Sequence, residues 1–92
     1  MRKVTERAVQ AFLSHRVATI DNTYTDGQAL YLFGNKIAEH SPQGIRVTLA
    51  GWNTPTTRER LNGLPGVRVH TKAGQAYLNG KPWDGQWTAV HA

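Results

Sequence analysis

Tight-turn signals recur so closely in this chain that most of it can only be short strands folded back on one another. Asp26-Gly27, Gly34-Asn35 and Asn79-Gly80 are dipeptides that reach positive φ readily, as two-residue hairpin loops require. Thr19 to Thr25 is rich in β-branched residues and leads into Asp26-Gly27, and Gln28 to Phe33 returns from it. Gly34-Asn35 then turns the chain into Lys36 to His40, and Ser41-Pro42-Gln43-Gly44 turns it into Ile45 to Ala50. Strands joined by such short connections are antiparallel, so residues 19–50 read as a four-stranded meander.

A second β-rich part occupies residues 67–90. Val67 to Thr71 alternates, Lys72-Ala73-Gly74 turns, Gln75 to Leu78 returns, and Asn79-Gly80 turns again. Pro82 restricts the next strand to an edge or a bulge. Asp84-Gly85 offers one more turn before Trp87 to Val90, and His91 and Ala92 are expected to fray.

Two helices complete the pattern. Val4, Ala8, Ala11, Phe12 and His15 recur at helical spacing, widened by Val9 and Leu13, which predicts an amphipathic helix over residues 4–15 capped by Thr5 or a residue before it. A second, about two turns long, is expected over residues 55–62 between the two β-rich parts. Pro55 suits its first turn, and the cap is either Thr54 or Thr56, the latter in a capping box with Glu59. Gly63 in a left-handed conformation, followed by Pro65, would end it. Leu61, Leu64 and Trp52 are the apolar residues available to anchor this helix, while Arg58 and Arg60 are expected to face water.

Ninety-two residues make one domain with a modest core. The chain has no cysteine, so disulfides and thiolate metal sites are excluded, as suits a reducing cytosol. No apolar run approaches the roughly 20 residues that cross a bilayer, and the basic start has no apolar signal-peptide core behind it. A soluble protein is expected, with no membrane partner. The formal charge is +5 and the isoelectric point about 10.1, favouring salt-sensitive attraction to nucleic acid or an acidic protein.

Chemistry is hard to find in the sequence. The four histidines show no paired ligand spacing, the aspartates fall in turns, and neither Ser14 nor Ser41 sits in a nucleophile elbow. No catalytic, cofactor-binding or metal-ligating residue is assigned, no cofactor is expected, and an enzyme is not expected. Alternation places Ile45, Val47, Leu49, Val67 and Val69 on an inner face and Arg46, Thr48, Arg68 and His70 on a polar, basic outer one; Tyr31 and Phe33, opposite Leu30 and Leu32, join either that outer side or the buried face, and the binding reading takes them as outer. Aromatics interleaved with arginine on an open sheet can hold single-stranded nucleic acid. The candidate binding residues are therefore Tyr31, Phe33, Arg46, Arg58, Arg60 and Arg68. Trp52, Trp83 and Trp87 are expected to cluster in the core, and one left exposed would be an anchor for a partner.

Leu30 to Ala38, Ala50-Gly51-Trp52-Asn53-Thr54, Thr57 to Val67 and the closing Tyr77-Leu78-Asn79-Gly80-Lys81-Pro82-Trp83-Asp84-Gly85-Gln86-Trp87 resemble small uncharacterised proteins encoded by tailed bacteriophages. That resemblance covers roughly residues 30–90 and implies action in the cytoplasm of an infected bacterium. It carries over no activity and no functional residue. The expectation is thus an α+β domain, two helices on a mainly antiparallel sheet of about six or seven strands. Its expected role is a non-enzymatic binding module for a host or phage macromolecule, the partner being a host or phage protein or nucleic acid. The alternatives are nucleic-acid binding, or self-assembly through strand edges or the first helix.

Overall fold

The structure is a computed structural model in which residues 2–90 are described. His91 and Ala92, expected to fray, lie outside the described residues. Helix α1 (Lys3–Leu13) leads into β1 (Val17–Ile20), β2 (Thr23–Asp26), β3 (Ala29–Leu32), β4 (Asn35–Ser41) and β5 (Gly44–Val47). Helix α2 (Pro55–Leu61) follows, then β6 (Val69–Lys72), β7 (Gln75–Leu78), β8 (Lys81–Pro82) and β9 (Thr88–Val90). The α+β class is as the turn signals and helical spacing predict. The single sheet of six or seven strands is not: the described residues hold nine strands in two antiparallel sheets, one ordered β1-β2-β3-β4-β5-β9, the other β6-β7-β8.

Helix α1 stops two residues short of the expected end because His15 takes φ of +56° just past the cap. Arg16 N–H then donates to Ala11 O at 2.8 Å and His15 N–H to Phe12 O at 3.1 Å, the paired bonds of a Schellman ending with histidine where glycine is usual. Thr5 does not cap the helix; it is fully buried inside it, beside Ala8, Val9, Ala11 and Phe12 on the face that meets β1, β2 and β3. Leu13, which the spacing places in the stripe, is 39% exposed.

The expected strand over Thr19 to Thr25 is itself a hairpin. Asp21, at φ of +56°, and Asn22 form its tip, and Ile20 pairs with Thr23. The meander therefore has five strands rather than four. Its next two turns each fall one residue from the expected dipeptide, at Gly27-Gln28 rather than Asp26-Gly27 and at Phe33-Gly34 rather than Gly34-Asn35. Between Leu30 and Tyr31 the β3–β4 register shifts, a bulge that turns both Ile37 and Ala38 inward, at 1% and 0% exposure.

Thr54 caps α2, accepting from Thr57 N–H at 3.2 Å, and Pro55 is the first helical residue; the Thr56–Glu59 box does not form. Gly63 does not turn left-handed. A Cβ there would lie 2.5 Å from Thr5 Cγ2, so glycine serves the close approach of α1. Asn62 then ties α2 to β6, donating to Val69 O and accepting from Val69 N–H.

One apolar cluster joins both sheets and both helices. Phe12, Leu30, Ile37, Val47 and Leu61 are each under 2% exposed, and burying a side chain of this size contributes about 1.5–3 kcal/mol. Leu61 and Leu64 anchor α2 as expected. Trp52 does not: it is 60% exposed.

Candidate binding surfaces

The sharpest departure from expectation is Arg60, which is 0% exposed rather than facing water. Its Nε donates to Thr23 Oγ1 at 2.9 Å and its Nη1 to Thr5 Oγ1 at 2.9 Å, while Nη2 reaches Asn22 Oδ1 at 3.1 Å. Glu59 also bonds both Arg60 Nη1 and Thr5. A guanidinium with its donors so occupied pins α2 to α1 and β2, and it is unavailable to a partner.

The other proposed residues scatter. Arg58 is half-buried and bonds the backbone and side-chain oxygens of Asn53. Arg68 is exposed and leads into the small sheet, whereas Arg46 lies on β5 of the large one, so they do not form one basic sheet face. Tyr31 points outward from β3 as expected, and Phe33 sits at the β3–β4 turn rather than in a strand. The three tryptophans do not cluster: Trp83 is buried, with Nε1 donating to Gln86 O and Thr88 Oγ1, whereas Trp52 and Trp87 are exposed.

Two surfaces gather what remains. The first is a groove of about 400 Å³ floored by Leu32, Ile37 and Leu49 and flanked by Phe33 and Trp52. None of its lining residues is charged. Phe33 is 71% exposed and holds φ of +50°, a conformation that costs a bulky side chain and that hairpins normally assign to Asn, Asp or Gly. Trp52 follows a second left-handed pair, Ala50 and Gly51, and its N–H donates to Leu49 O at 2.8 Å. Tight turns thus hold both rings out of the core.

The second is a row across the outer face of the large sheet, opposite α1. Tyr24 and Tyr31 are cross-strand partners with ring centroids 5.7 Å apart. Lys36 Nζ lies 5.9 Å from the Tyr31 ring and 3.6 Å from Glu39 Oε1. Glu39 accepts from Arg46 at 2.9 Å, and Arg46 lies 5.1 Å from the Trp87 ring. Strict alternation would put Lys36 and Glu39 on opposite faces. The bulge at Ile37-Ala38 brings them together, which is why a period-2 reading missed Lys36 as a member. Tyr24 and Trp87 were missed because cross-strand neighbours are not sequence neighbours.

The histidines show a third kind of arrangement. His40 stacks on Phe12 and on His15, and its Nε2 lies 2.8 Å from Phe12 O, so it secures the end of α1. Among the described residues no group of three or more His, Asp and Glu side chains is placed to hold a metal ion, and no helix is long and apolar enough to cross a membrane.

The sequence model of the family described as Kyanoviridae Gp96 protein matches residues 1–90. No curated protein and no solved structure matches the chain.

Proposed function

The chain belongs to the Kyanoviridae Gp96 protein family, a family of phage proteins, and from that premise we propose that it is a non-enzymatic accessory protein that binds a protein partner in the cytoplasm of the infected bacterium. The carrying observation is the pair Phe33 and Trp52, exposed at 71% and 60% on either side of an uncharged groove. A free surface gains nothing from two such rings, and Phe33 is held there against its backbone preference. An uncharged groove selects an apolar side chain, and Trp is prominent among residues that dominate binding. The basic charge of the chain would assist encounter rather than supply affinity.

The test is a photoreactive phenylalanine analogue placed at position 33 or 52, with position 72 as control, in infected cells. One crosslinked species shared by positions 33 and 52 and absent from position 72 is expected. With that species purified, Phe33→Ser or Trp52→Ser should weaken binding by about 30-fold, the equivalent of roughly 2 kcal/mol. The same products from all three positions would refute the reading. A concentration-dependent dimer in light scattering, abolished by Trp52→Ser, would instead place a second copy in the groove.

A further inference from the structure

We infer that the outer face of the large sheet is a second binding surface, separate from the Phe33–Trp52 groove, and that it takes single-stranded nucleic acid. The surface is the row Tyr24, Tyr31, Lys36, Glu39, Arg46 and Trp87, whose contacts run without a gap from β2 to the segment before β9. Three properties of the row fit that ligand.

First, the rings reach solvent from the outer sheet face, Tyr24 at 39% and Trp87 at 37% exposure and Tyr31 half-buried, where unstacked bases can reach them. Neighbouring strands are about 4.8 Å apart, and the Tyr24 and Tyr31 centroids are 5.7 Å apart, so bases splayed there meet the two tyrosines in succession, with Trp87 at the far end of the row. A duplex keeps its base faces stacked internally and offers no such contact. Second, each end of the row sets a ring beside a cation, so a base on Tyr31 brings its phosphate toward Lys36 and one on Trp87 brings its phosphate toward Arg46. Arg46 has one donor committed to Glu39 and four others, and Lys36 has three rotatable donors. Glu39 fixes both heads without exhausting them. Third, the charge is complementary: the row carries two cations to one carboxylate, within a chain of net charge +5. An acidic peptide would use the cations and leave the rings unpaired; a polynucleotide uses both.

The scarcity of cations makes the inference sharp. Two phosphate contacts give a slope of log K against log salt of roughly −1.4, at about −0.7 each for a single strand. Diffuse attraction to the whole basic surface would be much steeper.

The experiment is fluorescence anisotropy of the full chain with a labelled single-stranded DNA of about 12 nucleotides, between about 50 and 200 mM salt, with the matching duplex and an oligoglutamate peptide alongside. The expected result is binding with the shallow slope and at least tenfold preference for the single strand over the duplex and the peptide. Tyr31→Ala should weaken it about tenfold or more while Tyr31→Phe keeps it, because stacking needs the ring and not the hydroxyl. Tyr24→Ser, at an exposed position, gives the same reading if Tyr31→Ala fails to fold. Trp52→Ser should leave the affinity unchanged, which separates this surface from the groove. Absence of binding, a steep slope indifferent to Tyr31→Ala and Tyr24→Ser, or preference for the acidic peptide would each overturn the inference.

Discussion

Arg60 Nε donates to Thr23 Oγ1 at 2.9 Å across the interior, joining α2 to β2 through two fully buried side chains. With Arg60 removed, the Thr5 and Thr23 hydroxyls lose a buried partner and a void opens at the junction of three elements. Arg60→Ala should therefore cost about 3–5 kcal/mol of stability. Arg58→Ala, two positions away and half-buried, should stay within about 0.5 kcal/mol. Urea unfolding of both variants checks this, and an Arg60→Ala loss near that of Arg58→Ala would mean the buried network is not structural.

Gly27 and Gly34 both hold positive φ, at +90° and +79°, yet a Cβ at Gly27 would lie 2.8 Å from His15 O while one at Gly34 meets nothing within 4 Å. Alanine at Gly34 should cost about 1 kcal/mol for backbone conformation alone. Alanine at Gly27 should cost about 3 kcal/mol, because the backbone of the α1–β1 connection must also shift. Equal thermal shifts for the two variants would show that the connection yields freely.

Trp83 and Trp52 should respond oppositely to the same substitution. Trp83, 7% exposed with its indole N–H bonded, should lose about 3–5 kcal/mol on replacement by alanine. Trp52→Ala should change stability by no more than about 0.5 kcal/mol, leaving its effect on partner binding to be measured cleanly. A large loss of stability for Trp52→Ala would make the exposed ring a structural element.

Asp26 accepts from Ala29 N–H and Gln28 N–H, each at 2.8 Å, and these bonds hold its carboxyl below the ordinary value of 3.8. A folded value depressed in this way contributes stability that is present above the unfolded value and is lost as the pH falls through the folded one. Acidification from about pH 5 to about pH 2 should therefore destabilise the wild type more than Asp26→Asn, whose side chain does not titrate. Equal losses in chemical unfolding would show that Asp26 titrates alike in both states.

Local chemistry was legible in the sequence and long-range chemistry was not. Asp26-Gly27, Asn79-Gly80 and Pro55 announce their structures because their own backbone preferences decide them. Asp21-Asn22 carried the same kind of signal, short polar residues tolerant of left-handed backbone, and went unread inside a β-branched run. Nothing near Arg60 in sequence reveals its burial, because Thr5 and Thr23, the hydroxyls that accept its protons, belong to distant elements. Of the candidate residues, Tyr31 and Arg46 share the outer row and Phe33 flanks the groove, while Arg58 and Arg68 lie apart and Arg60 is interior.

The pairing of β5 with β9 also has a consequence in time. Each strand from β1 to β4 meets its successor across a short turn, and such hairpins form in about 1–10 μs. Val47 and Thr88 face each other as well, yet all of α2 and the small sheet lies between them in sequence. Closing so long an excursion carries an entropic cost that no local contact offsets, so this pairing must wait for the intervening segment to condense. The meander is thus the early template and the β9 edge the late seam: in pulse-labelled hydrogen exchange, β5 amides directed at β4 should gain protection before those directed at β9.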